Sequence, residues 1–156
     1  SAVCRVEGLP RLAESLPRLH AALERLVTAG YPEDVRAPLD EARARVAKAR
    51  WWVERREPVM YPLVPALAEL SRALDALQDL DLHRLGLTPL VDRMLALPRD
   101  ITLHRLNAVE CQDALCEAQL SKAQRIAHRA RKRETRDLHK AADLYKDAWD
   151  HLWEQP

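Results

Sequence analysis

Arg133 and His139 are the two side chains whose types and spacing come closest to a reaction. A guanidinium can hold the negative charge of a phosphate and an imidazole can move a proton near neutral pH, so such a pair suits phosphodiester cleavage. Other chemistry has less to build on. The Glu-x-x-His pairs of di-iron helical bundles do not occur, and His151 with Glu154 has the reversed order alone. His20, His83, His104 and His128 are scattered, and no Gly-rich or Ser-centred loop is present to hold a nucleophile. The expectation is therefore a non-enzymatic chain with no catalytic residue, no cofactor, no metal site and no small-molecule ligand.

The Arg-x5-His spacing resembles that of the helical HEPN-type ribonucleases, in which an arginine and a histidine act on RNA. The resemblance covers these two residues. Glu134 follows the arginine where that family usually carries a smaller polar group, and on one continuous helix Arg133 and His139 would diverge by about 120°. It supplies an enzymatic alternative, a helical ribonuclease.

The surrounding stretch RIAHRARKRETRDLHK is more informative for binding. Residues 122–140 carry eight Lys/Arg and two Asp/Glu, whereas the rest of the chain carries 17 and 22, in a protein of net charge +1. On one helix Lys122, Arg125, Arg129, Lys132, Arg133, Arg136 and Lys140 fall within about 100° of one another and form a basic stripe ~27 Å long. Continuing it brings Asp143, Asp147, Asp150 and Glu154 to the same side as an acidic block. Two copies could pair antiparallel, basic half against acidic half, so a homodimer or another protein partner is the first expectation. Nucleic acid is the second, weakened by the neutral net charge and by the lack of aromatic residues between His104 and Leu138 to stack bases.

Aromatic residues add partner-binding candidates. Trp51 and Trp52 are adjacent and cannot both face one core, so one of them should be at least half exposed. Tyr145, Trp149 and Trp153 follow at four-residue spacing and either anchor a core or form a contact patch.

The elements that must position these residues are helices. Ala, Leu, Glu, Arg and Lys make up 87 of 156 residues, Val, Ile and Thr only 16, and there is no Phe, so the fold class is all-α. Helices are expected at about 10–29, 38–57, 62–80 and 88–97, cut by prolines and glycines into N-terminal hairpins over 1–98. Pro17 should kink the first or move its start to Ser15. From Asp100 to Gln155 there is neither Gly nor Pro, which predicts one long helix over 99–156, ~80 Å in length.

Val109, Cys116, Leu120, Ala123, Ala127, Ala130, Leu138, Ala141, Tyr145, Ala148 and Leu152 form one apolar seam along that helix. Helices of ~30 Å side by side cannot cover such a seam, which predicts an elongated bundle of about five helices that self-associates as a scaffold or interaction domain. The alternative is a break near Asn107 or in 131–137, giving a compact four- to five-helix bundle. The whole is expected to be a single folding unit, and its length is compatible with a piece of a larger protein.

Cys111 and Cys116, five apart on that helix, should diverge by about 140° and stay reduced with Cys4, which places the chain in the cytoplasm or nucleus. No apolar run is long enough to span a bilayer. The excess of Arg over Lys is the bias of GC-rich coding, compatible with a high-GC bacterium or a tegument-like viral structural protein on composition alone.

Overall fold

Leucines at three- and four-residue spacing carry α1 (Ala2–Val27) straight through Pro10 and Pro17. Each interior proline costs about 3 kcal/mol. Burial of Leu12, Leu16, Leu19 and Leu23 on either side of Pro17 outweighs that, since each buried leucine contributes roughly 1.5–3 kcal/mol. The first helix therefore starts well before the expected residue 10 and is not displaced to Ser15. Gly30, with φ 89°, ends the turn that follows it.

The computed structural model describes residues 2–55 and 62–152, with side chains from Gly8 onward. Among them the chain forms six α-helices and no strand: α1, then α2 (Glu33–Glu54), α3 (Leu63–Leu77), α4 (Thr88–Ala108), α5 (Ala114–Arg133) and α6 (Leu138–Leu152). Both α2 and α4 also pass through prolines expected to bound them, Pro38 and Pro98. Pro98 is itself buried between Leu97 and Ile101, so its ring contributes to the core that offsets its lost hydrogen bond.

The single long helix over 99–156 does not form. Its sequence is divided into the last turns of α4, all of α5 and all of α6, with breaks at 109–113 and 134–137. Asp113 caps α5 by accepting the Cys116 amide at 2.7 Å, and Asp137 caps α6 by accepting the Lys140 amide at 3.0 Å. Cys111 and Cys116 are joined by a disulfide, against the expectation of reduced thiols. Their Cα atoms are 5.4 Å apart, whereas on a continuous helix the separation would be about 8–9 Å, beyond disulfide reach. The break in the helix is what brings them together, and reduced thiols no longer argue for an intracellular location. No helix among the described residues is long and apolar enough to cross a membrane.

Neighbouring helices close a ring in the order α1, α2, α3, α6, α4, with α3 also touching α4. The last helix thus fills the gap between α3 and α4, and α5 lies outside the ring against α6 and the end of α4. The main core joins leucines of α1, α2, α3 and α4 to Ala141, Ala142 and Trp149 of α6. Gly8 allows α1 to approach α4: a Cβ there would lie 2.8 Å from Ile101 Cγ2. Ser71 of α3 ties α6 in place by donating to the His139 carbonyl at 3.1 Å.

A second, smaller core joins Leu106 of α4, Ala123, Ala127 and Ala130 of α5, and Leu144, Tyr145, Ala148 and Leu152 of α6. These are largely the residues of the predicted seam. Folded back as a helical hairpin, the seam covers itself, so the reason for expecting a second copy along it is removed.

Candidate basic interface on the fifth helix

α5 is held at both ends and along one side. Its start is fixed by the Asp113 cap and the Cys111–Cys116 bond, and its inner face by Ala123, Ala127 and Ala130 against Tyr145, Ala148 and Leu152. Its end is fixed by Glu134, whose Oε1 accepts from Arg99 Nη1 at 2.9 Å and whose Oε2 accepts from the Tyr145 hydroxyl at 3.0 Å. Arg99 also reaches Asp100 at 3.2 Å, and Asp100 meets Arg11 of α1 at 2.7 Å. Burial, with the hydrogen bond and charge of Glu134, pushes the Tyr145 phenol well above its usual value, while Arg99 and Arg131 oppose this. Arg105, buried at the end of α4, donates to the Leu152 carbonyl at the end of α6.

The outer face of α5 is cationic. Lys122, Arg125, His128, Arg129, Arg131, Lys132 and Arg133 are all exposed, as is Arg136 in the turn that follows. Among the described residues no Asp or Glu forms an ion pair with any of the Lys or Arg in this set. Most arginines elsewhere behave differently: Arg11, Arg18, Arg36, Arg43, Arg45, Arg50, Arg72, Arg84 and Arg99 each have a carboxylate within 4 Å, whereas Arg25 and Arg93 share the unpaired state of the α5 cations. The local cause lies in spacing. In α2, Asp40, Glu41 and Glu54 sit three or four residues from Arg43, Arg45 and Arg50. In α5 the residue four before Arg129 is Arg125, the one before Arg133 is Arg129, and the helix contains Glu117 as its one acid.

The stripe drawn from sequence is therefore corrected. Lys122 to Arg133 remain on one helix, a length of about 17 Å, but Arg136 falls in the turn and Lys140, half-buried, belongs to α6. Arg131, left off the stripe by its angle, is exposed and belongs to the surface.

The acidic block does not continue this face, because the turn at 134–137 separates it from α5. Asp143 and Asp147 are engaged by Lys146 Nζ at 2.9 and 3.6 Å, and Asp150 is exposed. Burial holds the Asp147 carboxyl above its usual value, with the Lys146 ammonium opposing. For Lys146 burial lowers the value, and Asp143 and Asp147 raise it by more, so its ammonium is held above the usual range. Glu154 lies outside the described residues.

Among the aromatic candidates, Tyr145 and Trp149 are buried in the second and main cores. Trp153 lies outside the described residues. Trp51 is 45% exposed and Trp52 packs on the main core, their rings meeting edge to face at 4.9 Å. Lys48 Nζ and the Arg55 guanidinium each sit 4.2 Å from the Trp51 ring centroid.

Arg133 and His139 end up on different helices. His139 lies in the first turn of α6 with its Nδ1 donating to the Ser71 carbonyl at 3.0 Å, while Arg133 is exposed at the end of α5. A polar cleft of about 480 Å³ lies beside the α5–α6 turn, lined by Asp79, Asp92, Thr135, Arg136 and Asp137 among others. Among the described residues no group of three or more His, Cys, Asp or Glu is arranged to hold a metal ion. No family model, curated protein or solved structure matches the chain.

Proposed function

We propose that this chain is a non-enzymatic binding domain in which a five-helix bundle presents α5 as a fixed cationic helix to an anionic macromolecular partner. The carrying observation is that the exposed Lys and Arg side chains of α5 have no acidic partner, while nine arginines elsewhere do. Like charges four apart cost a few tenths of a kcal/mol each. Arg131, Lys132 and Arg133 gain from the negative end of the helix dipole, but Lys122, Arg125 and Arg129 lie too far from it. A partner carrying negative charge would satisfy all of them.

Salt-gradient elution from an anionic resin tests this. The wild-type chain should be retained despite its net charge of +1, and Arg125→Glu/Arg129→Glu/Arg133→Glu should flow through. Arg25→Glu/Arg84→Glu/Arg93→Glu, with the same change of charge away from α5, should keep most of the retention. Equal loss in both variants, or none in either, would overturn the proposal.

A second reading, contact with a protein or with a second copy of this chain through α2, is favoured by the exposed Trp51. Light scattering over a concentration series should then show association that Trp51→Ser abolishes. A constant mass near 17.9 kDa rules out the second copy, and unchanged capture of a partner by Trp51→Ser rules out this contact.

A further inference from the structure

We infer that the partner of α5 is double-stranded DNA, entered through its major groove and held by its phosphates; this rests on the reading of α5 as the binding element. At about 100° per residue, Arg125 and Lys132 lie directly opposite the alanines that dock on α6. Lys122, Arg129 and Arg133 lie on one flank, and Arg131 lies on the other, about 180° from Lys122. The cations thus wrap roughly 200° of the helix. A helix meets a flat protein face through a stripe of about 100°, so an acidic protein surface could engage one flank and leave the other in water.

A groove walled on both sides by negative charge engages both flanks at once. The major groove of B-form DNA is about 12 Å wide and admits a helix, whose diameter with side chains is ~10–12 Å. The position of α5 in the fold permits entry, since it lies outside the ring of the other five helices and touches only α6 and the end of α4 closely. Single-stranded nucleic acid is disfavoured because α5 has no Trp, Tyr or Phe on which bases could stack, and His128 is its one ring. Double-stranded RNA is disfavoured because its major groove is too narrow and deep for a helix.

Fluorescence anisotropy with a labelled DNA duplex of about two helical turns, titrated between 50 and 200 mM salt, tests the inference. Six phosphate contacts give a slope of log K against log salt of about −5 and a loss of roughly three decades in affinity over that range. Lys122→Gln/Arg129→Gln/Arg133→Gln should reduce the slope by about 3, and Arg131→Gln alone by about 1. All four positions are exposed, and circular dichroism checks that each variant keeps its helices.

Retention on the anionic resin without duplex binding would overturn this inference and leave the binding domain standing, whereas loss of both would overturn both. Silence of Arg131→Gln together with full competition by polyglutamate would assign α5 to an acidic protein instead. Equal affinity for double-stranded RNA or single-stranded DNA would exclude groove entry.

Discussion

Tyr145 is buried as a ring and satisfied as a hydroxyl, and both facts act on one proton. Its phenol donates to Glu134 from inside the second core, so the folded chain keeps this proton above pH 10, where an unfolded tyrosine releases it. The folded state then binds more protons than the unfolded one, and stability declines as pH climbs past 10. Lys146, also held above its usual value of 10.5, adds to the decline in the same direction. Tyr145→Phe should cost about 1 kcal/mol at neutral pH through the lost hydrogen bond, and show a shallower loss between pH 8 and pH 11. Urea midpoints at the two pH values check this, and parallel declines in the two proteins would refute it. In the sequence Glu134 stands out as a departure from the ribonuclease pattern and as an acid whose helical angle falls within the apolar seam. That oddity has a physical cause, because a half-buried carboxylate needs partners and Arg99 and Tyr145 supply them.

Helices were legible where leucine spacing is regular and misplaced where punctuation had to be weighed. Leu12, Leu16, Leu19, Leu23, Leu63, Leu67, Leu70, Leu74 and Leu77 are the core that their periodicity predicts. Prolines mislead in one direction, because Pro10, Pro17, Pro38 and Pro98 sit inside helices whose burial outweighs their cost. The absence of Gly and Pro from Asp100 to Gln155 misleads in the other. Helices end there because Asp113 and Asp137 offer side-chain oxygens to the first turns of new ones, a signal present in the sequence. The basic face was legible as charge, but its separation from Lys140 and the acidic block depended on the second of those aspartates, Asp137. The disulfide required the first break. Closing so short a loop limits the unfolded chain by about 2 kcal/mol in the chain-entropy view. Cys111→Ser/Cys116→Ser should lower stability by roughly that amount and speed amide exchange first in the early turns of α5, as hydrogen exchange with and without reductant can show. Protection unchanged in α5 would place the constraint elsewhere.

Two cores of unequal size share α6 in the molecule as a whole. The main one draws no residue from α5, while the smaller one takes three buried alanines from that helix, which bury little surface each, with Leu120 and Ile126 partly buried beside them. Native-state hydrogen exchange should therefore find α5 amides opening at lower free energy than those of α3, nine of whose fifteen residues are buried. Equal protection in the two helices would show that they unfold as one unit. The same division bears on inheritance. Mutations on the outer face of α5 leave the main core untouched, so selection can alter the sign and spacing of its charges without first lowering the yield of folded protein. A lineage carrying this bundle could exchange one anionic target for another by point substitution, with the helical ring conserved and the outlying helix diversified.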